Sequence, residues 1–237
     1  MKPSEISEAL NRYLHPVTKP VAITFHSSVP SSPPAHGRGK PEPTEDGRTG
    51  TVSAGCVFWV DGAVNSFTTT PADHRNCSVG SYTHGMISAE AAATSADIAT
   101  VLEVGWITPQ QFGDVPAIAT SPAAVTYGPL SEQTQIPDVV LLRLSPHGVM
   151  LVGDACPGLR IEGKPQCHIV AIAHNDQRPA ASVGCALSRA RTGMTVNEMT
   201  VALPGPQLDS IVAALDCAHM AADSVAKYAA SDAQRFQ

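Results

Sequence analysis

The opening stretch, MKPSEISEALNRYL, sets Leu10 and Leu14 on one helical face, with Ser4 positioned to cap it. A β-branched run from Lys19 to Phe25, bounded by Pro20, then predicts a strand. Between Ser27 and Gly50 the pattern gives way to Pro, Gly, Ser and charge, a loop too long for a simple connector and expected to act as a cover. Residues 51–60 around Cys56 read as helical, Val64 to Phe67 as a short strand, and Thr68 to Asn76 as a polar loop. The Ala-rich stretch from Ser88 to Val104 predicts one helix capped by Ser88. Strands are expected at Ala123 to Tyr127 and Asp138 to Leu144, the second apolar enough to be central. Helices follow at Pro146 to Val152 and 166–173, and strands at 180–184 and 198–203. The last segment, Pro206 to about Ala230, carries Leu208, Ile211, Val212 and Leu215 on one stripe. This alternation predicts an α/β fold, a mixed sheet layered with helices and a C-terminal helix pair, within a single domain over 1–237.

Composition narrows the function classes. With 43% hydrophobic residues the chain can build a core, so disorder throughout is excluded. A net charge of −6 without a basic cluster argues against a nucleic-acid partner, because phosphate binding needs grouped Lys and Arg. The N-terminus reads as a helix start instead of a signal peptide, and no run approaches the ~20 apolar residues of a membrane span. The expectation is a cytoplasmic protein with no membrane partner.

In a reducing compartment cysteines serve metals or catalysis more than disulfides, and four of the six here fall into two separated pairs, Cys56 with Cys77 and Cys167 with Cys185. Cys56 and Cys185 end nearly the same phrase, Ala-Gly-Cys and Val-Gly-Cys, where glycine lets the backbone approach a bulky group. Cys77 and Cys167 follow the amides Asn76 and Gln166. The chain lacks the paired Cys-x-x-Cys hooks of a zinc ribbon, so these ligands require a cavity on a folded scaffold. Thiolates suit iron–sulfur clusters, zinc or cuprous ions, and an iron–sulfur cluster of the 4Fe–4S type is the expected cofactor. A single metal and metal-free structural or catalytic cysteines stay open beside it. Cys217 reads as a buried small hydrophobe in the last helix, and Cys156 as a turn residue that could be a thiol or an extra ligand.

KPVAITF, the phrases around Cys56 and Cys77, QCHIVAIA, SVGCALSRARTG and EMTVALPGPQLDSIVAAL occur together and in order. In these segments the chain resembles the family catalogued as domain of unknown function 169. The resemblance implies a common fold and common cysteine positions, without an assigned activity. The chain departs from the family at Ser188, where relatives often carry a further cysteine.

His74 and His84 flank Cys77 and His168 follows Cys167. Neighbouring residues point apart, so His168 does not share a face with Cys167, and His74 is the better candidate for acid–base chemistry. His36 reaches a site only if its loop closes. Arg189, four residues after Cys185, is a candidate to offset cluster charge or clamp a carboxylate, against an ordinary ion pair with Glu198. Three classes follow: a cluster enzyme, a lyase or oxidoreductase acting on a small-molecule substrate; a closed cluster serving a redox partner; and a metal-free cysteine enzyme or small-molecule binding protein.

Overall fold

A computed structural model describes residues 1–36, 55–75 and 77–236. Most of the expected Ser27 to Gly50 cover therefore lies outside the described residues. The strands are β1 (Val21–His26), β2 (Phe67–Thr69), β3 (Ala124–Pro129), β4 (Val139–Leu144), β5 (Arg160–Glu162), β6 (Ala180–Ser182) and β7 (Met199–Pro204). They form one mixed sheet in the order β2-β3-β1-β4-β7-β6-β5, antiparallel throughout except for the parallel β5–β6 edge. β4 lies at the centre, as its apolar run predicts. Val140, Leu142 and Leu144 point to one helical layer, Val139 and Leu141 to the other, so both faces demand apolar residues.

On the first face lie α1 (Pro3–Leu14), α7 (Pro146–Ala155) and α10 (Leu208–Ala233), packed on each other and on the sheet. The stripe Leu208, Ile211, Val212 and Leu215 is buried there, where α10, one long C-terminal helix, packs on α7 and α1. On the second face lie α2 (Cys56–Gly62) and α8 (His168–Asn175), flanked by α3 (Ser78–Thr83) and α9 (Ala186–Thr192). A satellite cluster of Ala92, Ile98, Ile107 and Phe112 joins α4 (Ala89–Ala93), α5 (Ala96–Glu103) and α6 (Pro109–Gly113). The fold class is α/β, as the alternation of elements predicts.

Several local expectations change. The Ala-rich helix is two: the Thr94 hydroxyl donates to Glu90 O at 3.1 Å and the Ser95 hydroxyl to Ala92 O, a competition with the helical ladder that ends α4 and restarts the chain as α5. Ser88 does cap α4, accepting Ala91 N–H at 3.1 Å. Ser4 is not the cap of α1; the helix starts at Pro3 with Lys2 at the N-cap position, and the Glu5 carboxylate accepts Lys2 N–H at 2.8 Å. The strand expected from Val64 begins at Phe67. Cys217 is exposed, not core, because burial on α10 ends with Leu215.

Candidate functional site

The four paired cysteines, drawn from both halves of the chain, line one cavity of about 50 Å³ on the second face. Each begins a helix. Cys56 is the first residue of α2, while Cys77, Cys167 and Cys185 occupy the N-cap positions of α3, α8 and α9. Gly55 and Gly184, just before Cys56 and Cys185, adopt φ of 62° and 84°, a turn only glycine makes without strain. A Cβ at Gly55 would sit 3.7 Å from Cys77 Sγ, and one at Gly184 would sit 3.2 Å from Gln166 Oε1. The matching Gly-Cys phrases are thus one device used twice. Both swing the chain sharply into a helix whose first sulfur faces the cavity.

Backbone and side chains hold the sulfurs in place. Gly80 N–H donates to Cys77 Sγ and Ser188 N–H to Cys185 Sγ, each at 3.4 Å. The Ser188 hydroxyl donates to buried Gln166 Oε1, and Gln166 Nε2 donates to Thr200 Oγ1 at 2.6 Å, tying α9 and the entry of α8 to β7. Ser188 is thus a strut of the cavity. Arg191, whose positive charge favours the Cys77 thiolate, and Asp97, which accepts Ser78 N–H at 2.9 Å, form the polar rim. Ile98, Val101 and Trp106 supply an apolar roof. Lys164, over the Trp106 ring at 4.5 Å and bonded to Trp106 O, clasps that roof to the segment entering α8.

Burial sets the protonation of the site. It pushes the Cys56 thiol up to about 12, reinforced by the negative charge a neighbouring Cys77 thiolate would carry. Cys77 is raised by burial against the opposing pull of Arg191, and Cys167 well raised by burial and then by Cys77. Cys56, Cys77 and Cys167 are therefore neutral thiols near pH 7, and a charge on Cys77 would raise Cys56 and Cys167 further.

The other candidates sit elsewhere. His74, in the 3₁₀ turn Pro71–His74, lies in the core with Nε2 3.0 Å from Thr69 Oγ1 and its ring 4.8 Å from Phe58; it is not among the cavity-lining residues. Arg189 bonds the carbonyls of Val183, Thr195 and Glu198, fastening the connection from α9 to β7. Its contact with Glu198 is through the backbone, and the Glu198 carboxylate pairs with Arg143. His168 turns away from Cys167 toward Glu162, 3.6 Å off, as their adjacency predicts. His36 bonds Asp61 at 2.9 Å, and Cys156 packs on the opposite face of the sheet. Arg191, Asp97 and the α5 roof have no sequence signal. Helical spacing from Cys185 favours Arg189, and only the packing of α9 on α2 brings Arg191 to the cavity.

Among the described residues, no group of three or more His, Cys, Asp or Glu is arranged to hold a metal ion, so the four cysteines surround a space without meeting at a point. No helix among them is long and apolar enough to cross a membrane. A family model described as "Uncharacterised ArCR" matches residues 9–214. No curated protein and no solved structure gives a significant match.

Proposed function

We propose that this chain, which belongs to the family of domain of unknown function 169, carries an iron–sulfur cluster of the 4Fe–4S type on Cys56, Cys77, Cys167 and Cys185. The observation that carries the reading is the convergence of these four thiols, from distant segments, on one cavity. Its volume of about 50 Å³ is several times the ~10–15 Å³ that a single water occupies on the same scale. That space suits a polynuclear group, whose irons spread their ligands apart, better than one ion.

The surroundings fit a negatively charged thiolate centre. Four helix N-termini direct partial positive charge inward. Arg191 adds a full charge beside Cys77, the role expected of Arg189. Because burial keeps the thiols protonated, loading must displace protons, and uptake is expected to strengthen as pH rises. Bound there, such a cluster supplies one-electron redox chemistry or, with one thiolate released, an iron that accepts oxygen or sulfur of a small molecule. Ile98, Val101 and Trp106 give the cavity one apolar wall.

The competing reading is a metal-free cysteine enzyme. It requires a thiol activated by a lowered pKa, and burial moves Cys56, Cys77 and Cys167 the opposite way. The test is anaerobic reconstitution of the whole chain with iron and sulfide, followed by visible absorption. The charge-transfer bands of a cluster are expected in the wild type and lost or reduced in the serine variants of the four cysteines. Colourless protein with no bound iron would leave the metal-free reading.

A further inference from the structure

The mouth of the cysteine cavity carries positive charge that the fold leaves largely unneutralised. Lys164 lies over the Trp106 ring and donates to Trp106 O, while Arg189 donates to the carbonyls of Val183, Thr195 and Glu198. Neither forms an ion pair with a carboxylate among the described residues. Arg191 lines the cavity itself and is exposed, with Asp97 as the acidic member of the lining. Lys19, Arg143, Arg160 and Arg235, by contrast, are each paired with a carboxylate. A gathering of unpaired cations is unexpected in a chain whose net charge is −6.

Beside these cations the surface is apolar and open. Leu187, one of the cavity-lining residues, is 43% exposed, and Val183, whose carbonyl Arg189 holds, is 46% exposed. Apolar side chains within a charged rim are the composition of a protein-docking patch. Lys164 and Arg189 direct donors to backbone carbonyls from different segments, so they do not converge on one small anion. Their charge acts outward instead, as a field that a broad acidic surface meets as a whole.

We propose that this mouth, formed by Lys164, Val183, Leu187, Arg189 and Arg191, is the docking surface for an acidic one-electron carrier protein that exchanges an electron with the cluster. This rests on the cluster reading above. One electron leaves the reduced protein and enters the oxidised one, and no bond forms or breaks. Charge complementarity steers the encounter, and a small patch lets the partners part afterwards.

The test is stopped-flow electron exchange between the reconstituted whole chain and a plant-type ferredoxin, an acidic 2Fe–2S carrier, started from whichever protein has the lower potential. Each rate is divided by the rate with lumiflavin, a small uncharged carrier, so that a change in the cluster itself cancels. The wild-type rate is expected to fall about tenfold or more from low to high salt, because screening removes the steering. Val183→Glu, which sets a negative charge in the patch, is expected to slow exchange several-fold at low salt and to flatten its salt dependence. Lys164→Gln is expected to act in the same direction. Lys227→Gln changes the net charge equally on α10, across the sheet, and is expected to match the wild type. A wild-type rate independent of salt, or Val183→Glu and Lys227→Gln behaving alike, overturns the docking surface and leaves the cluster standing. Slowing by citrate at constant ionic strength would assign the cations to a small anion and overturns it too. A wild-type chain that takes up no iron and sulfide overturns both.

Discussion

The two faces of the sheet solve different problems with the same strands. The α1/α7/α10 face is almost wholly aliphatic, and its helices run long enough to present continuous stripes. The other face is built of short helices that begin at cysteines, is entered through glycines at positive φ, and keeps Gln166, His84, His168 and the Tyr127 hydroxyl out of water. One face follows the ordinary rules of packing, with His15 at φ 46° where α1 ends as a local departure. The second departs from them repeatedly at one place, the usual mark of a site whose stability is met elsewhere. On this view the apolar face carries the fold and the cysteine face carries a ligand.

The largest expected effect lies on the apolar face. Leu142→Ala, at a fully buried position facing α7 and α10, should cost about 2–5 kcal/mol, equally with and without bound iron, as urea unfolding would record. A cost that depended on iron would mean the two faces are not separable. Acid should act on the cysteine face instead. His84 is buried with one ring nitrogen against Gly80 O at 2.9 Å and the other lacking a partner among the described residues, and burial lowers it to about 4. The unfolded chain therefore binds this proton first, near pH 6.5. Stability is full above that pH and falls by up to about 3 kcal/mol as pH drops toward 4. His168, also lowered by burial, adds in the same direction. Urea midpoints of the iron-free chain across this range should flatten in His84→Gln; an unchanged slope would assign the acid sensitivity to other groups.

Cys185→Ser should cost the iron-free protein only ~1 kcal/mol, the typical worth of the hydrogen bond its sulfur accepts from Ser188, while abolishing the rise in melting temperature that iron and sulfide confer. Smallest of all is Cys217→Ser. Being exposed on α10, it should change stability by less than about 0.5 kcal/mol and leave iron content untouched. If the two serine variants behave alike, the contrast between the faces loses its chemical meaning.

Much of this contrast is legible in the sequence, for identifiable reasons. Val139 to Leu144 announces a strand buried on both sides by its nearly unbroken apolar run, and Leu208 to Leu215 a one-sided helix by its helical period. The Gly-Cys phrases mark both sharp turns correctly, since positive φ singles out glycine. What escapes is what neither period nor chirality encodes. ALSRART is too short to show a stripe, and RIE is a three-residue edge strand. The break at Thr94 and Ser95 is a hydroxyl competition inside an otherwise good helix. Cys217 shares the periodicity of α10 with residues that are buried, but the helix has passed the body of the protein before reaching it. Arg191 comes to the cavity of Cys77 only through the packing of α9 on α2, a tertiary fact with no local trace.

The most direct test of the central claim is the metal content of the whole chain after anaerobic reconstitution and desalting, by iron and acid-labile sulfide analysis with Mössbauer spectroscopy. A closed cubane predicts about four irons and four sulfides per chain, with all irons in tetrahedral sulfur coordination. One metal per chain without sulfide, or none at all, would contradict it.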